Sequence, residues 1–155
     1  MQVKSVMSDR VLWVPPDAPV RDIAIKMRDA EVGSIPVVED DKLIGMVTDR
    51  DIVVRGLCDA REPQQLTAAD LMSPGMLYCF EDQSVEEVLQ NMADEQIRRL
   101  PVVSRDKRLV GIVSLGDLSK GAPSAMSGRA LENISADEEQ WQAPRGQLSE
   151  APIRQ

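Results

Sequence analysis

The stretch Gly45-Met46-Val47-Thr48-Asp49-Arg50-Asp51 occurs a second time as Gly111-Ile112-Val113-Ser114-Leu115-Gly116-Asp117. Both copies read glycine, two apolar residues, a hydroxyl residue, two variable positions and an aspartate. The flanks match as well. Ile35-Pro36-Val37-Val38 precedes the first copy and Leu100-Pro101-Val102-Val103 the second. Pro36 and Pro101 are 65 residues apart, as are Met7 and Met72, Val20 and Val85, and Met27 and Met92. Gly45 and Gly111 are 66 apart, so one residue was gained in the turn between. An offset held across so many positions is an internal repeat, and the repeat dictates how every local motif is read.

The 155 residues suffice for one compact domain or two small interdependent halves. Apolar residues make up 43% and aromatics 3%, so the core is built from Val, Ile, Leu, Met and Ala. The formal net charge is −8. That balance argues against broad nucleic-acid binding or adhesion to an anionic membrane, both of which need a basic surface. No apolar run reaches the roughly 20 residues of a membrane-spanning helix. Met1-Gln2-Val3-Lys4 lacks the apolar core of a signal peptide, so the expected location is cytoplasmic. Cys58 and Cys79 are not spaced as metal ligands or a redox pair and read as reduced thiols.

In chain order, Lys4 to Ser8 reads as a helical turn leading to Met7, and Val11 to Val14 as a short strand closed by Pro15-Pro16. Val20, Ile23, Ala24, Met27 and Ala30 fall at helical spacing, and Gly33 is expected to end that helix. Ile35–Val38 and Leu43–Val47 read as strands around an Asp40-Asp41 turn. A helix carrying Ile52, Val53 and Leu57 starts near Thr48. Residues 59–66 form a polar linker between a first repeat over 1–58 and a second over 67–120. In the second, Thr67 with Asp70 and Ser84 with Glu87 fit capping boxes. Met76–Cys79, Leu100–Val103 and Leu109–Val113 read as strands. Val85, Val88, Leu89, Met92 and Ala93 form a buried helical stripe, and a last short helix starts near Ser114. Residues 121–155 are polar and Pro-containing and read as a flexible tail, or else as a partner-binding segment around Leu131 to Trp141.

These residues resemble a tandem pair of cystathionine-β-synthase (CBS) domains, a Bateman module, of the stand-alone bacterial type. The resemblance rests on the doubled Ile/Leu-Pro-Val-Val strand and the doubled Gly-apolar-Val-Thr/Ser-x-x-Asp junction, and covers about residues 1–120. It implies an α+β fold in which two β-α-β-β-α repeats pack sheet to sheet about a pseudo-twofold axis. It also implies two clefts able to hold an adenosine-containing ligand: AMP, ADP, ATP, S-adenosylmethionine or NAD. Homodimers stacked as a flat disc and signalling to an effector protein are further implications. Carried over by alignment, one cleft would use Met46, Thr48 and Asp51 with Met72, Met76, Leu77, Ile97, Arg98 and Arg99. The other would use Ile112, Ser114 and Asp117 with Met7, Val11, Leu12, Val32, Gly33 and Ser34. No resident cofactor and no metal site is implied.

The chemistry suits such a ligand. One ionised carboxylate has acceptors for both ribose hydroxyls, so a single Asp51 or Asp117 can hold the pair. Each sits in the first turn of a helix, where backbone N–H groups and the helix dipole favour a phosphate. Adenine needs a flat apolar slot. Arg98 and Arg99 stand where the other cleft has Gly33 and Ser34, so the Thr48/Asp51 cleft is expected to prefer phosphorylated ligands and the Ser114/Asp117 cleft to carry little positive charge. Thr48-x-x-Asp51 and Ser114-x-x-Asp117 also fit helix capping boxes, and Arg98 and Arg99 could instead bridge to acidic groups and plug their cleft. Met7, Met72 and Met76 also suit ordinary core positions. Two functions therefore stand: a regulatory, ligand-sensing module, or a dimeric structural and interaction protein whose clefts bind no nucleotide. An enzyme is not expected, because the chain has no histidine, no Gly-x-x-x-x-Gly-Lys loop and no nucleophile elbow.

Overall fold

The computed structural model describes residues 1–73 and 75–135. In the first half, helix α1 (Val20–Ala30) buries Val20, Ile23 and Met27. Ala24 and Ala30, expected on that stripe, are exposed at its margin. The helix ends at Glu31, whose left-handed φ of 53° lets its N–H reach the carbonyls of Met27 and Arg28. Gly33, expected at that end, is small for another reason: a Cβ there would sit 3.0 Å from Asp49 Oδ2. Strands β1 (Ser34–Glu39) and β2 (Lys42–Thr48) then form an antiparallel hairpin. Asp40 and Asp41, at φ 50° and 64°, make the two-residue turn that matches strand twist.

A short helix α2 (Asp49–Asp51) runs straight into a π-helical turn over Ile52–Gly56. Ile52 packs on the first core, but Val53 and Leu57 point outward and are 56% and 70% exposed. The polar linker expected over 59–66 is partly structured. It makes a 3₁₀ turn at Pro63–Gln65, and Leu66 is fully buried.

The second half repeats the plan with α3 (Ala68–Leu71), β3 (Cys79–Phe80), α4 (Val85–Asp94), β4 (Arg99–Val103), β5 (Leu109–Ser114) and α5 (Leu115–Ser119). The whole predicted stripe of α4 is buried. Ser84 Oγ caps it by accepting from Glu87 N at 3.1 Å, but Glu87 does not complete the box; its carboxylate accepts from Gln83 Nε2 instead. The extra residue lies in the second hairpin. Ser104 N donates to Arg108 O at 2.9 Å around a loop ending at Lys107, φ 62°. Both hairpins also carry a register shift at equivalent places, Val37/Val38 and Val102/Val103.

The strands expected over 11–14 and 76–79 are mostly absent. Only Cys79–Phe80 pairs with β4, in parallel, and Val14 alone bridges Val37. Pro15 and Pro16 follow Val14 and have no N–H to extend the ladder. Val11, Leu12, Met76 and Leu77 are thereby left outside any sheet.

Two apolar cores result, and they exchange their leading turns. Val3, from the 3₁₀ turn Val3–Ser5, is buried with Val85, Val88 and Leu89 in the second core. Its N–H donates to Gln83 O at 3.0 Å. Leu66, Ala68 and Leu71 are buried with Val20, Ile23 and Met27 in the first. The hairpin turns join the halves: Leu43 N donates to Lys107 O at 3.1 Å and Leu109 N to Asp41 O at 3.2 Å.

The expected flexible tail is ordered in its first part. Helix α6 (Ser124–Ser135) lies on α4 and buries Ala130 and Ile134. Leu131 is exposed, and Trp141 lies outside the described residues. Among the described residues, no helix is long and apolar enough to cross a membrane.

Candidate functional site: two adjoining cavities

Each Gly-apolar-Val-Thr/Ser-x-x-Asp junction is a strand end turning into a helix, and the turn is fixed by a reciprocal cap. Thr48 N donates to Asp51 Oδ2 at 2.9 Å, and Asp51 N to Thr48 Oγ1 at 3.0 Å. Ser114 N donates to Asp117 Oδ2 at 3.0 Å, Ser114 Oγ to the same oxygen at 2.6 Å, and Asp117 N to Ser114 Oγ at 3.2 Å. Capping therefore occupies only one oxygen of each carboxylate. Oδ1 of Asp117 faces Lys120 Nζ at 3.5 Å, an exposed and adaptable partner. Oδ1 of Asp51 faces Arg55 Nε at 3.9 Å, and Arg55 is itself anchored to Leu71 O at 3.3 Å. Burial pushes the Asp117 carboxyl up, but the hydrogen bonds from Ser114 and Lys120 outweigh it and hold the group below its usual range. It is a carboxylate at neutral pH.

The two cavities flank this pair of junctions. The broader, about 810 Å³, is lined by Met46, Thr48, Met76, Leu77, Ile97, Arg98 and Arg99 of the first predicted set, together with Gly33, Ser34 and Ser114 of the second. Asp51 and Met72 do not line it. The narrower, about 370 Å³, is lined by Val11, Leu12, Val32, Ser34, Ile112, Ser114 and Asp117, with Arg99 added. Met7 does not line it. The two methionines are absent for one reason: Met72 Sδ and Met7 Sδ each lie 2.6 Å from where a Cβ would stand on Gly45 and Gly111, so they are packed over the strand glycines. The broad cavity has the size of an ordinary small-molecule site, ~300–1,000 Å³.

The charges are arranged differently from the expectation. The narrow cavity was expected to carry little positive charge, yet Arg10 and Arg99 line it against the single carboxylate of Asp117. The broad cavity has Arg50, Arg98 and Arg99 against Asp49. Among the described residues no ion pair reaches Arg10, Arg50 or Arg99. Arg99 does not plug the space beside it. Two locally cationic hollows in a chain of net charge −8 concentrate small anions there. The arginines carry this role more than helix dipoles do, because α2 and α5 span only three and five residues.

Sequence reasoning missed Arg10, Asp49, Ser73 and Gly75, and favoured Arg50 as a solvated or paired surface charge over a phosphate ligand. Asp49 and Arg50 lay inside the decisive motif, at its variable positions. Arg10 had no such signal, since it reaches the cavity only because the chain before Val14 leaves the sheet. Cys79 is buried, and burial pushes its thiol up to about 12, so it is a core residue.

The CBS-domain family model matches residues 3–56 and again 68–123. The chain belongs to the CBS-domain family. This CBS pair is 42% identical over 134 residues to the CBS domain-containing protein YhcV of Bacillus subtilis, spanning 86% of this chain and 94% of that one. It is 36% identical over 121 residues to hypoxic response protein 1 of Mycobacterium tuberculosis, spanning 77% and 84%. A crystal structure of hypoxic response protein I with two coordinated zinc ions superposes with a TM-score of 0.70 at 35% identity, covering 79% of this chain and all of that one. CBSX2, from Arabidopsis thaliana, was solved in complex with AMP and gives 0.67 at 26% identity, covering 77% and 94%. The CBS domain pair of protein MJ0100, solved with 5′-methylthioadenosine and S-adenosylmethionine, gives 0.65 at 26%, covering 77% and 94%. Among the described residues of this chain, no three His, Cys, Asp or Glu side chains gather as a metal site.

Proposed function

We propose that this CBS pair is a non-catalytic regulatory module that binds an adenosine-containing ligand in its cavities and passes its occupancy to a partner protein. The narrow cavity carries the proposal. It brings the Asp117 carboxylate, the Ser114 hydroxyl, an apolar slot of Val11, Leu12 and Val32, and the guanidinium groups of Arg10 and Arg99 into about 370 Å³. A ribose diol, an adenine and a phosphate need those groups. The complexes of CBSX2 with AMP and of the MJ0100 pair with adenosyl compounds support the same ligand class. The broad cavity, with Thr48, Arg98 and Arg99, supports a second phosphorylated ligand of this class. The absence of histidine from the chain and the plain capping role of the paired aspartates favour sensing over turnover. A homodimer in the cytoplasm is part of this reading; the outward Val53, Val54 and Leu57 offer it an apolar face.

Thermal unfolding with AMP, ADP, ATP, S-adenosylmethionine and NAD, each near a millimolar, tests it. A ligand present at 100 times its Kd adds about 2.7 kcal/mol, several degrees for a domain this size. The expected result is a shift with at least one of them that Asp117→Asn removes. Asparagine keeps an acceptor for the Ser114 cap but loses the second acceptor for the diol. No shift with any ligand overturns the proposal.

A further inference from the structure

We propose that the two cavities are coupled through Arg99, so that a phosphorylated ligand in one weakens the binding of a second phosphorylated ligand in the other. The inference rests on the ligand class proposed above and adds how the two sites interact.

Ser34, Arg99 and Ser114 line both cavities, so a single wall separates them. The wall is a register feature. Arg99 is the first residue of β4 and pairs with Ser114, the last of β5, while Ser34 opens β1 opposite Thr48. Arg10 belongs to the narrow cavity alone and Arg50 to the broad one alone. Among the described residues, Arg99 makes no ion pair and lines both cavities. A guanidinium presents one planar fork and engages one phosphate bidentately. The first phosphate to arrive takes that fork. A second, across the wall, meets a neutralised arginine and a like charge closer than bulk screening removes. An unphosphorylated nucleoside makes no claim on Arg99 and should fill the two cavities independently. The module would thereby respond to which phosphorylated ligand arrives first in affinity, and not to the sum of both.

The test is calorimetric titration with AMP and with adenosine. Gly75→Trp fills the broad cavity, where a side chain at Gly75 meets nothing within 4 Å, and Ala30→Trp fills the narrow one from an exposed helix position. Each of these variants gives the Kd of one isolated site. Independent sites require the wild-type isotherm to be the sum of the two, whereas coupling is a departure from that sum. The expected AMP isotherm has a second step at least tenfold weaker than either isolated site. Adenosine, and AMP with Arg99→Ala read against Gly75→Trp and Ala30→Trp in the same Arg99→Ala background, are expected to give simple sums. A wild-type AMP isotherm equal to the sum of the isolated sites overturns the coupling while leaving the proposed function intact. So does a departure that survives Arg99→Ala. Absence of any AMP or adenosine binding overturns this inference, while the proposed function is overturned only when ADP, ATP, S-adenosylmethionine and NAD fail to bind as well.

Discussion

Gly45 and Gly111 hold equivalent places in the two repeats, and each lies beneath a methionine. The contact is not equally forgiving. The three atoms nearest a Cβ on Gly45 all belong to the Met72 side chain: Sδ at 2.6 Å, Cβ and Cγ at 3.1 Å. A Cβ on Gly111 would meet Met7 Sδ at 2.6 Å and also the Ser8 carbonyl at 2.9 Å. A thioether can swing aside, but the Ser8 backbone is pinned by two 2.9 Å hydrogen bonds with Ile112. Forcing a methyl group into a packed contact costs about 1–3 kcal/mol. Both alanine substitutions should destabilise, with Gly111→Ala at the upper end of that range and Gly45→Ala at the lower. Urea unfolding of the two variants compares them directly; equal losses would mean that the Ser8 backbone yields as easily as a side chain. The repeat made both glycines legible in the sequence. Why they are glycine was not legible, because the residues above them come from the leading turns 27 and more than 100 positions away.

At the scale of elements, the hairpins and the α4 stripe could be read because period and turn chemistry agreed. Continuous apolar runs over 35–38 and 100–103 were bounded by Asp40-Asp41 and by the polar loop after Val103. Helix α6 could not be read, since Met126, Ala130 and Ile134 are a thin stripe in a polar stretch. Its order comes from α4, whose outer face it covers, so tertiary packing decides where propensity is silent. Ile134 is 6% exposed and Leu131 52%. Truncating a buried isoleucine typically costs ~2–5 kcal/mol, and an exposed leucine within about 0.5. Ile134→Ala should therefore lower the unfolding midpoint clearly, and Leu131→Ala should leave it nearly unchanged. If the two variants unfolded alike, α6 would contribute no packing to the fold.

At the scale of the whole molecule, the repeat boundaries in the sequence are not the boundaries of the cores. The candidate cavities depend on this. Arg10, Val11 and Leu12 connect the turn that serves the second core to the elements of the first, and so run along the narrow cavity. Sequence alone could point to Ser114, Asp117 and Arg99, and strand register sets Arg99 beside Ser114, but Arg10 joins them only through the crossing chain. The crossing has a thermodynamic signature. Val3 and Leu71 are both essentially unexposed, and each fills a core belonging to the other repeat. Removing buried methyl groups costs roughly 2–5 kcal/mol for Leu→Ala and less for a valine, and the loss is felt first where the cavity forms. Val3→Ala should accelerate amide hydrogen exchange in α4, in the second repeat, more than in α1. Leu71→Ala should do the reverse, loosening α1 more than α4. Faster exchange confined to α1 in the Val3 variant would show that the leading turn stabilises its own repeat after all.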